Sequence, residues 1–599
     1  MSYPTAVTIS DVVHPNQIVI PSFSQRMHRS LDALYPADVA ARTCQRLVEL
    51  IDEFAADCQE IPPRTELFDE TDVVLITYAD QIREPGRAPL TTLHKFLRRH
   101  VQGVISGVHL LPFYPASSDG GFSVIDYSLV DPAVGRWEDV TAIGSDFRLM
   151  VDAVVNHISA HSPWFCQWLA GDPARHDFFI AVDPATDLSM VTRPRALPLL
   201  TPFETANGPR YVWTTFSADQ VDLNYANPEV LLAITRVLLQ FVTHGAGIIR
   251  LDAIAYLWKQ LATCCIHLNQ THEVLRLWRT IIDAVAPDTL LITETNVPHA
   301  ENVSYFGDGT NEAHLVYQFA LPPLVLSSFQ RGDASTLREW AASLETPSST
   351  TTFFNFLSSH DGIGVRPVEE ILPRDEIDTL CTLGAAHGGG VSYRAMPDGS
   401  VSPYEINTVY FDALAKADGD EPQDAQVDRF ITAQSILLAL AGVPAIYVHS
   451  LLGSRNWTEG PAHTGELRAI NRQTLDRATL EADLADPASL RHQVFTRLLD
   501  RIRVRTSELA FHPNGPQTII GGNPALFTIE RTAPDGTSRV LCVHNVTNQP
   551  QRLTAGPEEG VRVRGVLEDL CSSVKVEVSL DGHVEVDVPP YGVRWLHQC

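Results

Sequence analysis

Apolar residues first fall into a helical rhythm. Between about Gln25 and Glu60, Leu31, Leu34, Leu47, Leu50, Ile51 and Phe54 recur at mixed three- and four-residue spacings, which places them on one face of a helix. Pro62-Pro63 stops this stretch, and the residues before it are polar and irregular. A second rhythm starts near Asp72. Short, continuous apolar runs occur at Val73–Tyr78, Gly107–Pro112, Leu149–Val155, Gly247–Leu251, Leu290–Glu294, Thr352–Leu357 and Val443–Val448, with helical segments such as Leu231–His244 and Leu275–Ala286 between them. Such alternation predicts a parallel sheet covered on both faces. Over about 400 residues the choices are a (β/α)8 barrel or a large doubly wound sheet.

Two intervals break the rhythm. Residues 159–221 hold aromatic pairs and the run Arg193-Pro194-Arg195-Ala196-Leu197-Pro198, but no clear βα unit; an insertion folded over the mouth of the sheet is expected. Residues 361–403 contain Gly388-Gly389-Gly390 and Pro397-Asp398-Gly399, which reads as a mobile loop. From about Thr518 the period changes to two. Strands are expected at Ala525–Ile529, Arg539–His544, Val574–Leu580 and His583–Val588, with turns at Pro534-Asp535-Gly536 and Asp581-Gly582. The expected division is a helical extension over 1–71, a catalytic unit over 72–510 and an antiparallel β domain over 511–599.

Composition narrows the partners. Forty-four basic against 72 acidic residues leave a net charge of −28 on 599 residues, a surface that repels nucleic acid and anionic lipid. The nine cysteines are scattered, odd in number and without a CxxC pair, so neither a metal cluster nor a disulfide framework is expected, and a reducing cytoplasm fits. Met1–Phe23 has no basic segment followed by an apolar one, so no leader peptide is expected. The apolar stretch Ile436–Val448 is too short to span a membrane and is interrupted by Gly442 and Pro444.

The chemistry sits where strands end. Leu149–Val155 carries Asp152 and runs into Asn156-His157; Gly247–Leu251 carries Arg250 and stops at Asp252; Leu290–Thr293 stops at Glu294; Phe353–Leu357 runs into His360-Asp361. One Asp after a strand is more often a helix cap than a catalyst, and Arg250 with Asp252 could be a plain ion pair. Four such ends in order are a different matter, because a carboxylate at the end of a buried strand is costly unless paired or functional. Cleaving a glycosidic bond with retention needs one ionised carboxylate as nucleophile and a second carboxyl as acid/base. Arg250 lies two residues from Asp252, on the same face of the strand, as a nucleophile's counter-charge should.

These segments, Asp152 to His157, Arg250 to Ala253, Glu294 and His360-Asp361, resemble the four signature regions of the α-amylase superfamily, glycoside hydrolase family 13. His109 to Pro115, Asp119 to Tyr127, Gly135 to Asp139, Arg193-Pro194-Arg195, His360 to Val365 and Ile470-Asn471-Arg472 resemble its sucrose phosphorylase branch. The likeness spans roughly residues 72–500. Two segments depart from sucrose phosphorylases: Tyr404-Glu405 stands where a Tyr-Gln pair is usual, and Glu294-Thr295-Asn296 where Glu-Val-His is usual. Arg193–Phe203, Leu452–Asn456 and the N-terminal extension look more like glucosylglycerate phosphorylases.

The resemblance implies a (β/α)8 TIM barrel with an inserted loop-rich domain, and double displacement with Asp252 as nucleophile, Glu294 as acid/base and Asp361 as transition-state stabiliser. Asp119, His157, Arg250, His360 and Arg472 would line the glucose subsite, with Phe122 and Tyr256 as apolar walls. The substrates implied are a small glucoside and inorganic phosphate, with no cofactor and no metal. An anionic acceptor needs fixed positive charge, for which Arg193, Arg195 and Arg455 are candidates beside Tyr404 and Glu405; Arg193 and Arg195 could equally be solvated, and Arg455 a loop salt bridge. Glycerate is favoured over fructose as acceptor because it carries a carboxylate. Sucrose, sucrose 6-phosphate and glucosylglycerol phosphorolysis remain as alternatives, as do hydrolysis or transglucosylation by the same triad, a catalytically silent binding protein and a homodimer.

Overall fold

The computed structural model describes residues 22–57, 66–396, 399–416 and 421–598. The expected irregular start, the Pro62-Pro63 stop and the Pro397-Asp398 turn lie outside them. Eight strands close into a parallel barrel: β1 (Val74–Thr77), β2 (Gly107–Leu110), β3 (Arg148–Val154), β4 (Ala246–Asp252), β5 (Leu290–Thr293), β6 (Leu315–Tyr317), β7 (Thr352–Phe356) and β8 (Val443–Tyr447). Each pairs with its sequence neighbours, and β1 closes on β8. Seven of the eight coincide with the apolar runs of the sequence. The eighth, β6, has only three residues, too few to register as a run.

The N-terminal stretch is two helices rather than one. Helix α1 (Phe23–Leu34) starts on a Ser22/Gln25 capping box. It stops at Tyr35, which is extended at φ −134°, as the residue before Pro36 prefers. Helix α2 (Ala37–Asp57) then folds back. Buried Met27, Leu31, Leu34 and Leu47 join the barrel core.

The insertion rises from the barrel's C-terminal face. His157–Ser159 pairs antiparallel with Gln220–Asp222. Between them lie a helix, Pro163–Leu169, and a hairpin of Leu200–Thr205 with Gly208–Trp213. The interval after β7 corrects the loop expectation. It holds a three-stranded antiparallel sheet of Ile363–Gly364, Gly390–Ala395 and Val401–Asn407, with a helix at Arg374–Ala386. Its glycines serve close packing there: a Cβ on Gly389 would lie 2.7 Å from the carbonyl oxygens of both Gly384 and Asn407.

The C-terminal strands form a six-stranded antiparallel sheet, in the order Gln517–Ile520, Leu526–Thr532, Arg539–Asn545, Val593–Gln598, Val566–Asp569 and Lys575–Glu577. Gln551–Ala555 pairs separately with Val584–Val588. Alternation gives the larger sheet two buried faces. Phe527, Ile529, Val540, Cys542 and Trp595 join the barrel's core; Leu526, Leu541, Val543 and Leu596 form a second core with Leu553 and Val586. The strand expected over Val574–Leu580 is shorter, because Leu580 projects fully into solvent and has nothing to pack on.

Candidate active site

The strand ends converge on one cavity at the barrel's C-terminal face, where β/α barrels place their chemistry. Its lining includes Asp119, Phe122, His157, Asp252, Tyr256, Glu294, His360, Asp361, Arg195 and Tyr404. Arg250 lies just beneath it. Its Nη1 donates to Asp252 Oδ1 at 2.8 Å and to Asp152 Oδ1 at 2.5 Å, and its Nη2 is 4.0 Å from Glu294 Oε1. Phe122 and Tyr317 cover the guanidinium, with ring centroids at 5.5 and 5.4 Å. Asp152, fully buried, also accepts from His109 at 2.7 Å, so Arg250 is held from behind and offered to the cavity from the front.

The chain turns sharply after Asp252. Ala253 sits in the left-handed region at φ +52°, an uncommon backbone for a residue with a Cβ. The turn aims the Ala253 N–H at Glu294 Oε2, 3.1 Å away. One local feature thus ties the two expected catalytic carboxyls together.

Their environments push their proton affinities apart from that of Asp361. Burial raises Asp252 and Glu294 above the ordinary carboxylate range. Arg250 opposes the rise at both, and does so at the shorter distance for Asp252. Neighbouring carboxylates add to the rise, Glu294 at Asp252 and Asp361 at Glu294. Asp361 goes the other way. Burial works against its charge, but Arg468, His360 and Arg472 overcome this and hold it well below the usual range. His360 is kept neutral by burial, down to about 3. It stacks on Phe122, with centroids 4.7 Å apart and planes within 4°.

Arg468 was not singled out in the sequence, yet it lines the cavity. Its Nη1 is 2.6 Å from Asp361 Oδ1, while Nε and Nη2 grip Glu405 at 2.8 and 2.9 Å. Its signal was its place one helical turn before Arg472, in the 3-10 segment Leu467–Asn471. Phe216, Gln220, Asn296 and Val297 also line the cavity without having been anticipated. Gln220 Nε2 donates to Asp119 Oδ2 at 3.1 Å and lies 3.1 Å from His157 Nε2.

Four expected residues stand elsewhere. Arg455 is outside the cavity: it pairs with Asp412 at 2.7 Å, donates to Gln426 at 2.6 Å and lies over the Phe411 ring. The loop salt bridge is therefore the observed arrangement. Glu405 is 1% exposed and spent on Arg468, since its position on a central strand points it behind that arginine. Arg193 does not line the cavity, whereas Arg195, two residues on, does. Arg472 borders an adjoining cleft with Tyr78 and Gly120, and its Nε donates to the His360 carbonyl at 2.8 Å.

Among the described residues Arg195 makes no ion pair or hydrogen bond. The nearby negative charge of Asp119 and the phenol of Tyr404 feel its field. The cavity therefore offers one wall of carboxylates and neutral donors, and one uncommitted cation at the insertion.

Residues 102–365 match the α-amylase catalytic domain family. A glucosylglycerate phosphorylase of Spirochaeta thermophila is 51% identical over 531 residues, which is 88% of this chain and 90% of its own length. A sucrose phosphorylase of Agrobacterium vitis is 31% identical over 476 residues, 74% of this chain and 88% of its own. The crystal structure of a sucrose 6F-phosphate phosphorylase from Thermoanaerobacter thermosaccharolyticum shares the fold at a TM-score of 0.69 and 25% identity, covering 87% of this chain and 98% of its own.

Proposed function

The chain belongs to the α-amylase family, glycoside hydrolase family 13, within its sucrose phosphorylase branch, and from that premise we propose that it is a retaining phosphorylase converting 2-O-α-D-glucosylglycerate and inorganic phosphate to α-D-glucose 1-phosphate and D-glycerate. In this reading Asp252 attacks the anomeric carbon while Glu294 gives its proton to the departing glycerate oxygen. A β-glucosyl-enzyme results. Phosphate enters the vacated acceptor position, Glu294 takes back a proton from it, and a phosphate oxygen attacks the same carbon from the face glycerate left. Two inversions give net retention.

The rest of the cavity divides its tasks. Asp361, held ionised by Arg468, grips the ring hydroxyls as the sugar flattens towards the oxocarbenium. His157 and neutral His360 donate to hydroxyls, and Asp119 accepts from them. Phe122 and Tyr256 exclude water from the reacting centre. Arg250 offsets part of the burial cost of charge on Asp252. None of this chemistry calls for a cofactor or a metal.

The observation that carries the acceptor assignment is Arg195, a cavity cation free of any ion pair among the described residues. Phosphate and glycerate are both anions, and they occupy the acceptor position in turn. Phosphate uses this charge whichever acceptor precedes it; glycerate uses it as well, and neutral fructose does not. The 51% identity to a glucosylglycerate phosphorylase, against 31% to a sucrose phosphorylase, supports the same choice. The seven described cysteines, all free, fit a reducing cytoplasm, which we take as the compartment. The test is a panel of acceptors (glycerate, fructose, fructose 6-phosphate and glycerol) incubated with α-glucose 1-phosphate and scored by phosphate release. Glycerate should lead; faster release with fructose would overturn the assignment.

A further inference from the structure

A buried ammonium lies behind the short sheet that carries His157 and Gln220, and the catalytic scheme above gives it no task. Lys259 follows the nucleophile by seven residues, and its side chain is 4% exposed. Its Nζ is 2.6 Å from Asp222 Oδ2 and 2.6 Å from Asn156 Oδ1. Asp222, fully buried, also accepts from the Thr215 N–H at 2.8 Å, the Thr215 hydroxyl at 2.6 Å and the Asn156 amide at 3.1 Å. Lys259 thereby joins three pieces of chain: the turn after Asp252, the end of β3, and the last strand of the insertion.

What it joins is chemically specific. Asn156 precedes His157, and Asp222 is paired in register with His157 across the short two-stranded sheet. Ser159 is paired there with Gln220. His157 and Gln220 are the two residues this sheet sends into the cavity, and their side chains meet at 3.1 Å. A buried cation held by two oxygens at this distance is a stiff joint, because breaking one partner leaves an uncompensated charge.

The N-terminal helices reach the same joint. Tyr35, at the end of α1, lies 6.4 Å from the ring of Trp258, the neighbour of Lys259. Its hydroxyl donates to the Tyr225 carbonyl at 2.9 Å, and the Tyr225 hydroxyl donates to the Val155 carbonyl at 2.7 Å, next to Asn156. We propose that Lys259 is a positioning residue that fixes His157 and Gln220 for the glucosyl group, and that the N-terminal helical pair braces this joint through Tyr35. The inference rests on the reading of the cavity as a glucosyl site, and not on which acceptor is used.

The full-length enzyme is assayed with α-D-glucosyl fluoride, whose small leaving group makes no demand on the acceptor position. Lys259→Met should raise the KM for this donor about tenfold, raise the inhibition constant of glucose in parallel, and leave the KM for phosphate within about twofold. Tyr35→Phe should move the donor KM in the same direction by about two- to threefold. If Lys259→Met folds poorly, the double variant Asp222→Asn/Lys259→Met removes both charges. It should regain thermal stability yet keep the raised donor KM. A double variant that regains both, or donor and phosphate parameters that fall in proportion, would show a purely structural ammonium and overturn the inference. So would an unchanged donor KM in Lys259→Met; an unchanged one in Tyr35→Phe removes the helical brace. Wild-type enzyme that releases fluoride without using glycerate overturns the acceptor assignment alone.

Discussion

Arg468 pairs with Asp361, Nη1 lying 2.6 Å from Oδ1, while Glu405 holds its other two nitrogens. The guanidinium is therefore aimed by a buried carboxylate that does not itself line the cavity. Removing Glu405 leaves Arg468 free to rotate and Asp361 less firmly ionised. Glu405→Gln should lower kcat by about tenfold with a smaller change in donor KM, since the Arg468–Asp361 contact matters most as the ring distorts. An equal loss in binding and turnover would place Glu405 in substrate affinity instead.

Asp252→Asn should abolish turnover and keep the fold. Burial raises this carboxyl, so the folded protein binds its proton more tightly than the unfolded chain does, and its charge costs stability as the pH rises through the folded value. Asn carries no such cost, so the melting temperature should be at or above that of wild type. Retention of a tenth of the activity would sink the nucleophile assignment. In Glu294→Gln with α-glucosyl fluoride, mass spectrometry should find a glucosylated peptide containing Asp252.

Glu294 sets the alkaline limb of the pH profile. Its raised affinity keeps it protonated above the ordinary Glu range, and protonation of the leaving oxygen is lost as pH climbs through that raised value. The kcat/KM for glucosylglycerate should fall on this limb. The kcat/KM for α-glucosyl fluoride, which needs far less help in leaving, should fall much less. Identical limbs for the two donors would contradict the role.

Arg195 and Arg455 should behave differently. Losing a charge-assisted bond to an anion costs about 1.5–3 kcal/mol, on the order of tenfold to a hundredfold. Arg195→Ala should weaken phosphate and glycerate use by that much while fluoride release in water stays near wild type. Arg455→Ala should leave all three rates alone, because its guanidinium is occupied by Asp412 and Gln426. A loss of glycerate use in Arg455→Ala would reverse the two assignments.

The stereochemical outcome is a fifth check. NMR of the first-formed glucose 1-phosphate should show the α anomer, and a β product would refute double displacement.

The sequence disclosed the carboxylates and missed their supports, for one physical reason. Asp252, Glu294 and Asp361 each stand at or just after the end of a continuous apolar run, where a charge is conspicuous. Arg468, Gln220 and Lys259 lie in short segments between such runs, and only the fold brings them together. Strand β6 escaped because Leu315–Tyr317 is too brief to show a period, although its Tyr317 covers Arg250. The sheet after β7 reads as a loop in the sequence because its glycines, needed for close approach, are also what a loop is made of. Arg455 misled through its position after β8: the loop is in the expected place, but the side chain turns to Asp412.

The C-terminal sheet buries both its faces, one against the barrel and one within its own domain. Such a sheet cannot be treated as a detachable module. Splitting the chain before Thr518 would strip the barrel of Ile529, Cys542 and Trp595 and leave the freed fragment with the same residues bare. Neither half would be a sound folding unit. Arg531, buried in the sheet, donates to the carbonyls of Ala439 and His512 at 2.8 and 2.7 Å and stitches the seam. Barrel and sheet should therefore melt as one cooperative block, and a recombinant ancestor or chimera exchanging this domain would have to exchange the helix Gln423–Ala439 with it.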